Sequence, residues 1–133
     1  MTYLKIVDAG ARSHLPFSPA IIAGDVMYVS GQASVDAETG AIITDSFEGE
    51  MRRSIENLKA ILEAGGLSLD HVINVKSYVQ NEADVALYNA IYPEYFAQPA
   101  PTRSTIVGVL GTRLKFELDC IAYRHATRQQ ANA

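Results

Sequence analysis

The sequence predicts an α+β fold, a single domain built as one mixed β-sheet with two helices packed on one face. Three observations carry that reading. Phe47, Met51, Ile55, Leu58 and Leu62 recur at spacings of three and four, one apolar stripe along an amphipathic helix. "HVINVKSYV" and "LKFELDCIAY" are rich in β-branched and aromatic residues, and the second alternates apolar with mostly polar positions. The elements follow in the order β-β-α-β-α-β-β with no linker, low-complexity stretch or strong repeat, so the 133 residues make one domain.

In chain order, Ile21 and Ile22 lead into the turn signal "AGD", and "VMYVSGQASV" reads as the next strand. "DAETG" is a second turn, with Gly40 able to take positive φ. Asp45 with Glu48 resembles a capping box, and Ser46 is the alternative cap. Gly65-Gly66 stops the helix, the first glycine being expected in the left-handed conformation. After the strand "HVINVKSYV", Asp84 can cap a second helix with Val85, Tyr88, Tyr92, Tyr95 and Phe96 on its apolar side. Pro93 removes the amide that would bond to the Asn89 carbonyl, which predicts a kink or a break. "QPAP" is an extended loop, since residues before proline avoid the α region. Strands at 103–110 and 114–123 close a domain of residues 1–124, and a polar tail covers 125–133.

Composition excludes several function classes. Fifteen acidic against eleven basic residues give a net charge of −4, which argues against a polyanion partner. The single cysteine, Cys120, rules out an internal disulfide and suits a reducing compartment. The start has no signal-peptide core and no window reaches the length of a membrane span, so a cytoplasmic location and no membrane partner are expected. His14, His71 and His125 lack metal-ligand spacing, and neither a metal nor a cofactor is expected.

Arg103 is the most conspicuous residue, a charge standing three positions before the apolar run 106–110. If Gly111-Thr112-Arg113 is a hairpin loop of odd length, odd residues pair with odd and Arg103 shares a face with Glu117; an even loop separates them. The face away from the helices would then carry Val26, Tyr28, Ser30, Lys76, Tyr78, Arg103, Thr105, Val107, Val109, Glu117 and Ile121. That surface is too apolar for water and too charged for a closed core, and suits subunit contact with polar pockets between protomers. Plainer roles stand beside these. Arg103 can snorkel to solvent, Glu117 can pair with Lys115 or Lys76, and Ser30 can be no more than a small strand residue. Cys120 falls on the core face, and the tyrosine stripe suits packing better than ligand stacking.

"FSPAI…GDVMYVSGQ", "ENLKAILEAGG", "YNAIYPEYF", "PTRSTI" and "FELDCIAYR" resemble, in order, the RidA/YjgF family of reactive-intermediate deaminases. The resemblance covers about residues 14 to 124. It implies a chorismate-mutase-like α+β fold and a homotrimer with sites in clefts between subunits. It also implies hydrolysis of imines and enamines such as 2-aminoacrylate to 2-oxo acids and ammonia. Arg103 matches the arginine that clamps the substrate carboxylate, and Glu117 the acid that positions the attacking water. Ser30 and Asn89 match other pocket positions. Phe17 stands where a tyrosine is common, Thr105 where many members have cysteine, Leu15 for a glycine and Pro19 for a glutamine. A guanidinium can meet a carboxylate with two parallel hydrogen bonds, and an imine needs only an oriented water and a base. Phe17 exchanges a hydroxyl for bare ring surface, which predicts a preference for bulkier apolar imines. The alternatives are a pathway deaminase acting on an aminomuconate-type enamine, a non-catalytic carboxylate-binding module, and an RNA-cleaving translation inhibitor, the last disfavoured by the acidic balance.

Overall fold

The computed structural model describes residues 4–10 and 15–128; His14 and residues 129–133 of the expected tail lie outside them. Six strands form one sheet: β1 (Leu4–Val7), β2 (Ala20–Ala23), β3 (Val26–Ala33), β4 (Val72–Val79), β5 (Thr102–Val107) and β6 (Phe116–Tyr123). Their order across the sheet is β1-β2-β3-β6-β4-β5. Every neighbouring pair is antiparallel except β4 and β5, which run parallel. The sequence reading did not include β1. Its four residues are mostly exposed and too few to display alternation.

Helix α1 (Phe47–Ala64) forms where the apolar stripe predicts it, and Met51, Ile55, Leu58 and Leu62 are all fully buried. Ser46 is its cap, its hydroxyl accepting the Gly49 amide at 3.1 Å. Asp45 instead accepts from the Ser46 amide and from Arg53. At the other end the expectation for Gly65 needs correction. Gly65 keeps φ −88° and Gly66 takes φ +83°. Gly65 serves a different need, because a Cβ there would meet the buried Met27 Sδ and Cε at 2.7 Å.

Helix α2 (Val85–Ile91) breaks at proline as expected, passing into a 3-10 turn at Tyr92–Glu94. Asp84 precedes it but makes no capping hydrogen bond, because it is itself the last residue of a 3-10 turn, Glu82–Asp84. Both helices lie on one face of the sheet. Phe47 meets Phe116 edge to face at 5.9 Å between ring centroids, and Tyr88 lies 5.8 Å from the same ring. Tyr88, Ile91, Tyr92 and Phe96 join the α1 stripe in one core.

The end of the chain departs most from expectation. The closing strands do not form a hairpin: β6 inserts between β3 and β4, and β5 takes the edge beyond β4. The connection leaves β5 at Gly108, earlier than expected, and crosses the end of β4. Gln80 anchors it there, its side chain accepting the Leu110 amide at 2.6 Å and its own amide donating to the Lys115 carbonyl at 3.0 Å. Gly108 and Gly111 take φ +84° and +78° to make the bends. Parallel pairing then sets Arg103 level with Val75 and Thr105 level with Ser77, both core-facing. Glu117 pairs with Tyr78, on the opposite face. The expected common face for Arg103, Thr105, Val107 and Glu117 is therefore wrong. Ser104 and Ile106 are the β5 residues that join Lys76, Tyr78 and Glu117 on the face without helices.

Candidate active site

The residues singled out in the sequence fall into two groups on opposite faces of the sheet. The first surrounds a cleft of about 480 Å³ whose lining includes Phe17, Ser18, Pro19, Gly31, Gln32 and Glu117. A β-bulge between Val29 and Gln32 interrupts pairing with β6, so that Gly31 comes against Glu117. A Cβ on Gly31 would lie 3.1 Å from the Glu117 carboxyl carbon. A side chain there would make the carboxylate give way by a few tenths of an ångström. The sequence reading missed Gly31 and Gln32, although a glycine inside a strand pattern is the signal for a bulge or close approach.

Ser30 holds the rim of this cleft in place. Its hydroxyl donates to the Ser18 carbonyl at 2.6 Å and its amide to the Pro19 carbonyl at 2.9 Å. It clips the segment carrying Phe17 onto β3. Phe17 itself is 52% exposed, a bare ring facing the cleft.

Glu117 is half-buried, and its carboxyl is pushed above the ordinary glutamate range, chiefly by burial and secondarily by the neighbouring Asp119 charge. Lys115 does not pair with it. That ammonium reaches Glu50 at 3.2 Å, on the core side of the sheet. Among the described residues no cation or hydrogen-bond donor is matched to the Glu117 carboxylate.

The second group gathers at the edge strand. Arg103 is exposed, and its guanidinium carbon lies 4.9 Å from the ring centroids of both Tyr88 and Tyr92. Among the described residues it has no carboxylate partner. Thr105, half-buried, donates to the Tyr88 hydroxyl at 3.4 Å, which donates to Ser77 at 2.8 Å. Asn89 follows Tyr88 on α2 and is exposed. Cys120, beneath the sheet, has its thiol pushed up to about 12 by burial, too high for a nucleophile.

A model of the Endoribonuclease L-PSP family matches residues 9–124. The chain belongs to this family, the RidA/YjgF family of its sequence motifs. A RutC family protein of Pyrococcus horikoshii is 39% identical over 110 residues, covering 82% of this chain and 87% of that one. A 2-iminobutanoate/2-iminopropanoate deaminase of Salmonella typhimurium is 34% identical over 113 residues, 82% of this chain and 88% of that protein. Among solved structures, E. coli TdcF with bound serine has a TM-score of 0.79 at 32% identity, covering 90% of this chain and 98% of its own. The E. coli YjgF gene product has a TM-score of 0.79 at 29% identity, covering 91% and 99%. The RidA/YjgF fold is thus present over nearly the whole chain, with its mixed six-stranded sheet and two helices.

Proposed function

We propose that this protein is a hydrolytic deaminase of 2-imino and 2-enamino acids, releasing a 2-oxo acid and ammonia. Arg103 clamps the substrate carboxylate through paired hydrogen bonds, which fixes the C=N carbon. Glu117 orients a water against that carbon and takes its proton as the C–O bond forms; the tetrahedral adduct then collapses with loss of ammonia. Thr105 and Asn89 line the Arg103 side of the substrate, and Phe17 with Ser30 the Glu117 side. The reaction draws on no metal or cofactor, since an imine is already electrophilic.

The observation that carries this reading is the pair of unmatched charges, a carboxylate and a guanidinium, each on a different face of one sheet. A single protomer cannot bring both to one small substrate. A second copy can, with Arg103 of one protomer meeting Glu117 of the next, which supports a homotrimer with its sites between subunits. Membership in a family that includes proteins named 2-iminobutanoate/2-iminopropanoate deaminase supports the same chemistry. The bare Phe17 ring favours larger apolar side chains over the smallest imines.

The test is ammonia release from imines generated in place by an amino-acid oxidase. The parent accelerates release. Arg103→Lys recovers little over Arg103→Ala, because an ammonium cannot make the two-pronged contact, and the loss is on the order of 2–5 kcal/mol. Glu117→Gln keeps carboxylate binding and slows hydrolysis. Parent-like rates in both Arg103→Lys and Glu117→Gln would remove these two residues from the chemistry, and a parent that gives no acceleration would leave a carboxylate-binding module without catalysis.

A further inference from the structure

We infer that the Tyr88–Tyr92 ring pair is a positioning platform that fixes where the Arg103 guanidinium meets a carboxylate; the inference rests on reading Arg103 as the clamp. An arginine on an exposed edge strand with no carboxylate beside it would sample many rotamers and lose that freedom on binding. Here two ring faces hold it. Their centroids are 5.6 Å apart and their planes cross at 68°, so together they form a notch rather than a flat surface. The guanidinium carbon stands at the same 4.9 Å from each.

The notch is itself fixed. Tyr88 is fully buried and anchored by its hydroxyl to Ser77, with Thr105 donating to the same oxygen. Tyr92 stacks on Phe96 at 4.6 Å between centroids. Holding the cation by ring faces has a chemical advantage over holding it with an acidic residue. A salt bridge would occupy the N–H donors and neutralise the charge. A ring face engages the flat of the guanidinium and leaves the N–H edge free for a ligand.

The two tyrosines differ in a way that sharpens the assignment. The Tyr92 hydroxyl is buried with no hydrogen-bond partner among the described residues, so only the ring of that residue serves Arg103. The Tyr88 hydroxyl is bonded and takes part in holding its ring.

The experiment is titration calorimetry with 2-oxobutanoate, alongside thermal melting and imine kinetics. Arg103→Ala loses binding. Tyr92→Phe binds as the parent does, while Tyr92→Leu weakens binding about tenfold, through KM rather than kcat, and Tyr88→Phe falls between them. Undiminished binding in Arg103→Ala removes the clamp itself. Lost binding in Arg103→Ala with parent-like binding in a folded Tyr92→Leu overturns the platform and leaves the clamp standing. The native protein supplies a check that no folding defect can blur: the Arg103 Nε–H proton resonance is shifted upfield by the two ring currents. A resonance at the ordinary arginine position overturns the platform.

Discussion

Glu117 is where the chemistry of a single residue has the clearest consequence for pH. Burial raises its carboxyl above the ordinary value of 4.5, so the folded chain holds that proton more tightly than the unfolded chain. The contribution to stability is therefore fully present below 4.5 and is lost as pH rises through the higher folded value. Glu117→Gln, which cannot ionise, melts above the parent at neutral pH, and the difference closes in acid. The same shift moves the acid limb of kcat/KM above the ordinary carboxylate range, and Glu117→Gln abolishes that limb. Equal melting of the two proteins from pH 4 to 8 would deny Glu117 its buried charge. The motifs that single out Arg103 and Glu117 were legible in the sequence. Their faces were not: parity relates two strands only when they are neighbours, and β4 lies between these two.

At the scale of an element, Glu50 joins the start of α1 to the start of β6. Its fully buried carboxylate accepts the Lys115 backbone amide at 3.0 Å, the Lys115 ammonium at 3.2 Å and the Asp45 amide at 3.2 Å. Glu50→Ala strands two amides and leaves the partly exposed Lys115 ammonium only the Asp45 carbonyl, which costs about 3 kcal/mol, measured by denaturant unfolding. Glu50→Gln keeps the acceptor oxygen and recovers part of that loss. A loss below 1 kcal/mol in Glu50→Ala would mean that water replaces the carboxylate there. The sequence hides this residue because a glutamate in the first turn of a helix normally faces solvent and complements the helix dipole. The α1 stripe, by contrast, was legible because it repeats over five residues and nothing competes with it. Pro93 was legible too, since a missing amide has one consequence wherever it stands. Gly65 and Gly66 were read in the wrong order, because each lacks a side chain for its own reason, Gly66 for its positive φ and Gly65 for its contact with Met27, and the second reason is tertiary.

For the whole molecule, the sheet face without helices is the surface on which the proposed trimer rests. Tyr28 is 50% exposed in a single copy and sits opposite Ile121, with Tyr123 beside Val26. An apolar surface of this kind calls for a partner, and light scattering should report a trimer. Tyr28→Glu places a charge in its centre and dissociates the assembly; a trimer that persists in Tyr28→Glu puts the contact elsewhere. The sequence reading assigned subunit contact to this face but listed Arg103 and Thr105 on it, an error inherited from the assumed hairpin. Their true position, across the sheet from Glu117, has a genetic corollary. If each site borrows its two charges from different copies, an Arg103→Ala chain and a Glu117→Gln chain are complementary lesions. Co-expressed and randomly assembled in equal amounts, the two inactive alleles rebuild about one intact interface in four, so the mixture regains roughly a quarter of parental activity. A doubly substituted chain co-expressed with either single variant rescues nothing, since one of the two charges is then missing from every copy, and mixing after the trimers have formed restores activity only as fast as subunits exchange.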